Sequence, residues 1–108
     1  MLTFIRDNIT YKLGRNAKEN FALIDDAQDE NPEYWWFHLH DYPSGHCIIY
    51  SDEISAQMVE IAASIVKEYS KLKDNKKVKI VYTQIKNVLK TRTIGQVLLQ
   101  GTTKKISI

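Results

Sequence analysis

The chain has 108 residues, of which 44% are hydrophobic and 26% are charged, as expected for one ordinary globular domain. This composition excludes a disordered chain, and the longest apolar runs, such as Tyr34 to Phe37, are far too short to cross a membrane. The formal net charge of +2 hides an uneven distribution. Residues 1–60 carry 4 basic and 11 acidic side chains, whereas residues 61–108 carry 11 basic and 2 acidic ones. The basic half predicts attraction to phosphate groups, although two solvated faces of opposite charge would have the same composition.

The cysteine content indicates the redox compartment, and the first residues indicate where the folded domain begins. Cys47 is the only cysteine, so no internal disulfide can form, and a reducing, cytoplasmic environment is expected. The N-terminus lacks the basic-then-apolar layout of a signal peptide, so it is interpreted as mature structure. We therefore expect a single domain over residues 1–108, and no membrane partner.

The first predicted elements are two strands and a helix. Leu2 to Ile5 and Ile9 to Leu13 are separated by turn residues, a pattern typical of a β-hairpin. Asn16 followed three residues later by Glu19 has the spacing of a helix N-cap and capping box. This spacing predicts a helix from Ala17 to about Ala27.

A second hairpin is predicted from Tyr34 to His40 and from His46 to Tyr50, with a turn between them. Successive strand residues point to opposite sides of a sheet. We expect Trp35, Phe37 and Leu39 to face the core. The other side of the strand, which we expect to face a site or a covering element, carries Trp36, His38 and His40.

The second half of the chain begins with a helix that Ser51 or Ser55 can cap and that runs to about Lys73. Val78 to Thr83 is predicted to form a strand, and Ile85 to Arg92 a basic, irregular segment. The last predicted hairpin comprises Gln96 to Leu99 and Lys104 to Ile108 with a turn at Gly101. This order predicts an α+β fold, a mostly antiparallel sheet of β-hairpins with two helices packed on it.

Two features near the predicted helix and hairpin could bind a ligand. Gly14, Arg15 and Asn16 stand at a helix start, where free N–H groups and the helix dipole attract anions; an ordinary cap with an exposed arginine is the alternative. Across the second hairpin, Trp36 beside His38 and His46 could stack an unpaired base, or could form an aromatic ladder under a helix.

The same histidines could in principle form a metal site or part of a thiol enzyme. His38, His40 and His46 lack further ligands at standard zinc spacing. Cys47 should point away from His46, because adjacent strand residues face opposite sides, so a buried cysteine is favoured over a nucleophile. We therefore expect no catalytic residue, no metal and no cofactor.

A third candidate is the basic segment with Lys86, Lys90 and Arg92, next to Thr83, whose hydroxyl can donate to a phosphate oxygen. Asn87 and Thr91 are interleaved donors of the same kind. Further lysines precede the segment at Lys71, Lys73, Lys76, Lys77 and Lys79. Such a segment suits contact with a phosphate backbone, and solubility is the alternative.

Four motifs in this order resemble the NFACT-R domain, the RNA-binding module of the NFACT family. They are GRNAKEN (14–20), WFHLHDYPSGHCII (36–49), IAASIVKEYS (61–70) and VKIVYTQIKNVLKTRTIGQV (78–97). The resemblance implies a compact α+β fold that binds RNA. In large members of the family the domain belongs to ribosome-associated quality-control factors, which recognise stalled large subunits with tRNA and promote tail addition to the nascent chain. This chain resembles a stand-alone form. Its Y-T-x-x-x-N-x-x-K-T-x-x-x-G-Q stretch resembles that of small coiled-coil-containing eukaryotic relatives, one of which is associated with binding extracellular DNA.

By position, the family motif marks Gly14, Arg15, Asn16, Asn20, Trp36, His38, His46, Tyr82, Thr83, Lys90 and Gly95. The chain departs from the family pattern at Phe21, at Tyr34 and at Cys47, which replaces a valine. We expect a non-catalytic module that binds tRNA or ribosomal RNA. DNA binding and a protein adaptor, docked on ribosome-associated proteins, are the alternatives. The expected nucleic-acid-binding residues are Arg15, Asn16, Asn20, Trp36, His38, His46, Thr83, Lys86, Lys90 and Arg92.

Overall fold

A six-stranded antiparallel sheet forms the centre of the computed structural model, which describes residues 1–108. The helices are α1 (Ala17–Glu30) and α2 (Ala56–Glu68), and the strands are β1 (Leu2–Arg6), β2 (Ile9–Leu13), β3 (Trp35–Leu39), β4 (Cys47–Ile49), β5 (Lys79–Gln84), β6 (Val88–Lys90), β7 (Val97–Leu99) and β8 (Lys104–Ser107). The strand order in the sheet is β1-β2-β4-β3-β5-β8, while β6 and β7 form a separate two-stranded arm. The predicted α+β class with a mostly antiparallel sheet and two helices is confirmed.

Both helices begin at side-chain caps that the sequence predicts. Oδ1 of Asn16 accepts the N–H of Glu19 at 2.9 Å, and Oγ of Ser55, not Ser51, accepts the N–H of Met58 at 3.2 Å. α1 continues to Glu30, three residues beyond the predicted end. α2 ends at Glu68, short of Lys73. It stops there because Ser70 donates both its N–H and its hydroxyl to the carbonyl of Lys67, which closes a turn.

The two faces of the sheet carry two separate hydrophobic clusters. On one face Phe37 and Leu39 of β3 pack with Cys47 against α2. On the other face Trp36 and Ile48 pack against α1. The alternation predicted for β3 is therefore confirmed, and the face with Trp36 meets a covering element. Neither helix has the length and apolar character that a membrane span requires.

The last predicted hairpin is wrong. β7 pairs with β6, so the segment interpreted as irregular begins with a one-turn 3₁₀ helix, Ile85–Asn87, and continues as a strand. β8 pairs instead with β5 at the edge of the main sheet, where Ile80 lies opposite Ile106. The open edge of β5 offers a longer ladder, and burial of Ile106 against the α2-side cluster favours it.

Candidate nucleic-acid interface

A cleft of about 1030 Å³ lies where the N-terminal end of α1 approaches the end of β3 and the start of β4. The tip of the β6–β7 arm, residues 94–97, forms another part of its wall, and the loop 41–45 and residues 69–71 close the remaining sides. Six of the predicted site residues line this cleft: Arg15, Asn16, Asn20, Trp36, His38 and His46. The structure therefore brings together the residues predicted from the helix start and from the second hairpin.

Asn20 locks the start of α1 to the start of β4. Its Oδ1 accepts the backbone N–H of His46 at 3.1 Å, and the N–H of Gly14 donates to the carbonyl of His46 at 2.9 Å. A Cβ atom at Gly14 would overlap Oδ1 of Asn20. The Gly-Arg-Asn motif and Asn20 thus position His46, and the oxygen of Asn20 is already in use within the protein.

Arg15 lies at the rim of the cleft but is held by an acid. Its guanidinium forms two hydrogen bonds with the carboxylate of Glu19, at 3.2 and 3.1 Å, and its N–H donates to the same carboxylate. This contact lowers the pKa of Glu19 to about 2, with the Arg15 side-chain hydrogen bond as the largest cause. The helix start therefore presents a partly neutralised cation, which weakens its attraction for an anion.

Trp36 cannot act as a platform for base stacking in this structure. Its side chain is 1% exposed, because α1 covers one part of the indole and His38 stacks on it with an interplanar angle of 3°. The interpretation as an aromatic ladder packed under a helix fits this geometry, whereas stacking of a base on Trp36 does not.

The two histidines of the cleft are neutral, and each has one fixed tautomer. The indole N–H of Trp36 donates to Nδ1 of His46 at 3.1 Å, so the ring proton of neutral His46 sits on Nε2. Nδ1 of His38 lies 2.6 Å from the carbonyl of Leu39, which can only accept, so His38 carries its proton on Nδ1. Burial lowers the pKa of His46 to about 3, and repulsion from the charge that His38 gains on protonation is the smaller cause. Burial also lowers the pKa of His38.

Two residues of the predicted basic site lie outside the cleft. Nζ of Lys86 pairs with Glu33 at 2.9 Å, beyond the C-terminal end of α1. That end is roughly 20 Å from Arg15, because a helix rises 1.5 Å per residue. Lys90 pairs with Asp25 in the middle of α1. Lys86 and Lys90 therefore lie apart from Arg15, and each already forms an ion pair with an acidic side chain.

The other two predicted residues differ from each other. Arg92 is exposed at the tip of the β6–β7 arm, without an acidic partner, two residues before the cleft-lining Ile94. Thr83 is buried outside the main cleft, where its hydroxyl donates to the carbonyl of Thr102 at 2.9 Å and accepts from Asn87. Arg92 is therefore next to the cleft, whereas Thr83 serves as an internal contact.

Lys71 and Lys105 line the cleft without an ion-pair partner. The sequence pattern did not indicate Lys105, and it indicated Lys71 only as one of several lysines before the basic segment. Lys105 lies opposite Val81, which in turn lies opposite His38, so the three side chains share one face of the sheet. The signal that could have found Lys105 is the pairing of β8 with β5, which the sequence pattern did not show.

The candidate metal ligands and the candidate thiol nucleophile do not form a reactive site. Cys47 is fully buried on the α2 side of the sheet, away from His46, and burial raises the pKa of its thiol. Nε2 of His40 pairs with Asp41 at 3.1 Å. No group of three histidine, cysteine or acidic side chains is arranged to hold a metal ion.

Comparisons with known proteins bear on the family and the fold of this chain. The family model described as "NFACT protein RNA binding domain" matches residues 3–105. The chain is 34% identical over 84 residues to the Rqc2 homolog RqcH of Bacillus subtilis (strain 168), an alignment that covers 76% of this chain and 14% of that protein. Its fold is similar to the C-terminal part of the fibronectin/fibrinogen-binding protein from Streptococcus suis, with a TM-score of 0.88 and 21% identity over 98% of this chain and 44% of that one. The chain thus spans a small part of the curated relative and under half of the solved chain. Because the family model covers nearly every residue, this chain belongs to the NFACT family as an NFACT-R domain.

Proposed function

We propose that this chain is a non-catalytic RNA-binding module and that RNA binds in the cleft between α1, the β6–β7 arm and the end of β3. The observation that carries the proposal is the clustering of six predicted site residues in one cleft with cations that have no acidic partner. A family model for RNA-binding domains that matches residues 3–105 supports it.

The cations that would contact phosphate are the unpaired ones at the cleft. Lys71 and Lys105 line it, and Arg92 extends from the adjacent arm. Lys86 and Lys90 are weaker candidates, because each would first have to leave its carboxylate. Charge attraction of this kind is independent of sequence and supplies most of the nonspecific affinity of nucleic-acid-binding proteins.

Titration of RNA with the purified protein at several salt concentrations tests the proposal. We expect log affinity for single-stranded RNA to fall linearly with log salt, by about 0.7 per phosphate contact. Lys71→Gln and Lys105→Gln should each weaken binding for all sequences and reduce that slope by about 0.7.

Lys86→Gln and Lys90→Gln are the matched controls, because they remove the same charge at positions whose lysines are already paired. We expect them to change affinity by less than the cleft variants. RNA affinity that does not respond to salt, or that responds equally to all four substitutions, would argue against the cleft as the RNA site.

The natural ligand is proposed from the relative. The B. subtilis protein is named as an Rqc2 homolog. The family resemblance implies action with tRNA on stalled ribosomes, so we propose tRNA or ribosomal RNA as partner and translation quality control in the cytoplasm as setting. A shift series with tRNA, ribosomal RNA fragments, single-stranded DNA and duplex DNA tests this choice. Tighter binding to single-stranded or duplex DNA than to either RNA would favour the DNA alternative.

A protein adaptor is the second candidate, and the outer face of the β6–β7 arm favours it. Leu89 and Leu98 lie opposite each other there and are 44% and 64% exposed, and Ile94 at the tip is 56% exposed. Exposed apolar clusters of this kind often mark contact with another protein. Crosslinking in cells separates the candidates, since an adaptor yields protein adducts without RNA adducts.

A further inference from the structure

The two neutral histidines of the cleft present complementary hydrogen-bonding atoms. His46 uses Nδ1 to accept from Trp36, so its Nε2–H is a donor. His38 uses Nδ1–H to donate to the carbonyl of Leu39, so its Nε2 is an acceptor. The ring centroids are 5.0 Å apart and the ring planes are perpendicular.

Both free nitrogen atoms belong to rings that line the cleft. Neither Nε2 atom has a hydrogen-bond partner within the protein, and the only buried side-chain polar atom without a partner or solvent contact is Oη of Tyr11. The remaining solvent contact of the two rings is therefore through the cleft that they line. His46 is 1% exposed, so its free donor is a nearly buried polar group in the wall of that cleft.

We propose that the histidine pair binds the edge of one unpaired nucleobase, with His46 donating and His38 accepting. The proposal rests on the RNA-binding function proposed above and deepens it. An unpaired base exposes a hydrogen-bond donor and an acceptor side by side on its Watson–Crick edge, which matches the pair. In a duplex the partner strand occupies that edge, so the contact requires a single-stranded nucleotide.

The burial of the pair makes this contact different from those of the lysines. Lys71 and Lys105 have flexible, solvated ammonium groups suited to phosphates, whereas the histidine nitrogens are held by Trp36 and Leu39. Neutral imidazoles add nothing to charge attraction. The histidine contact should consequently affect affinity without affecting its salt dependence.

His38→Phe is the decisive variant, because phenylalanine retains a flat ring against Trp36 and loses the accepting nitrogen. We expect it to weaken binding of single-stranded RNA by roughly 5- to 30-fold, since the base loses one buried partner. We expect the salt slope to stay unchanged. Binding of the same strand with abasic nucleotides, or annealed to its complement, should be the same for wild type and variant.

A DNA probe and imidazole spectra test the base contact further. A single-stranded DNA of the same sequence shows whether the base contact depends on the ribose, and an equal loss there assigns it to the base alone. Imidazole ¹⁵N spectra of the wild-type protein, which need no variant, should show the Nδ1–H tautomer for His38 and the Nε2–H tautomer for His46. They should also show a shift of Nε2 of His38 when single-stranded RNA is added.

The results distinguish this inference from the proposed function. Equal affinity of wild type and His38→Phe for the base-bearing strand, or an unshifted Nε2 resonance in the complex, overturns the base contact and leaves RNA binding intact. Failure of the wild-type protein to bind any of the probes overturns both.

Discussion

At the scale of single residues, Gly14 shows how the motif builds the cleft. No side chain fits at this position, because a Cβ atom would overlap Oδ1 of Asn20, and that oxygen accepts the N–H of His46. Gly14→Ala should push Asn20 away and leave a buried N–H without a partner, at a cost of roughly 1–3 kcal/mol in the free energy of unfolding. Urea denaturation measures this change.

Ser64→Ala is a suitable control for the glycine variant, since Ser64 is exposed on α2 and its replacement should change stability by less than about 0.5 kcal/mol. A Gly14→Ala protein as stable as the control would mean that Asn20 is not fixed by this contact. The resonance of the His46 amide should also move in the variant, because its acceptor is displaced.

Residue patterns predicted some of the site and not the rest, for a physical reason. Asn16 is a local signal, and its Oδ1 accepts the N–H of Glu19 as the N-cap predicts. The reciprocal contact of a capping box is not formed, because the Glu19 carboxylate accepts the N–H of Arg15 in place of that of Asn16. Local sequence does not predict how much of Trp36 is exposed, because α1 and His38 cover the indole only in the folded protein. The pairing of Lys86 with Glu33 likewise joins residues 53 positions apart, a separation that sequence periodicity does not report.

At the scale of elements, the β6–β7 arm is the part of the fold that the sequence pattern did not predict. β6 and β7 have three residues each, and their outer face is apolar and exposed, so the strands lack the polar–apolar alternation that predicts a half-buried strand. The long strands and both helices carry strong periodicity and were predicted within a few residues, apart from the five-residue overestimate at the end of α2.

The arm is anchored to α1 at Gly95. This glycine has φ +86°, and a Cβ atom there would lie 2.7 Å from Cβ of Ala17. Gly95→Ala should therefore strain the turn and lift the tip of the arm from the helix start. We expect faster amide exchange of residues 88–99 and weaker RNA binding, because residues 94–97 form a wall of the cleft.

Leu98→Ser is the matched change for the arm, because it alters the exposed outer face and leaves the anchor to Ala17 intact. It should leave amide exchange and RNA affinity near their wild-type values. If Gly95→Ala shows no faster exchange in the arm, the contact with Ala17 does not hold the arm in place.

At the scale of the whole molecule, the uneven charge of the sequence is partly neutralised by pairing between the two halves. Lys86 and Lys90 from the basic half bind Glu33 and Asp25 from the acidic half. The alternative of mutually neutralising surfaces therefore holds for these two lysines. It does not hold for Lys71 and Lys105, which face the cleft without acidic partners.

The buried histidines also make the stability of the whole fold depend on pH. The pKa of His46 is lowered to about 3, mainly by burial, and the pKa of His38 is lowered by burial as well. Between the unfolded pKa near 6.5 and these folded values, the unfolded chain holds protons that the folded chain does not. Stability should therefore fall as the pH decreases below 6.5, by up to about 1.4 kcal/mol per pH unit for His46.

Urea midpoints at pH 7, 6 and 5 test this sign, because most carboxylates remain ionised over that range and contribute little. The lowered pKa values of Glu19 and Glu33 add a loss of stability only below about pH 4.5, where an unfolded carboxylate gains its proton first. His38→Phe removes one of the two titrating rings and also the neighbouring charge that opposes protonation of His46. The variant should consequently lose less stability between pH 7 and pH 5 than the wild type. A wild-type midpoint that stays constant over this interval would contradict the lowered pKa values of His46 and His38.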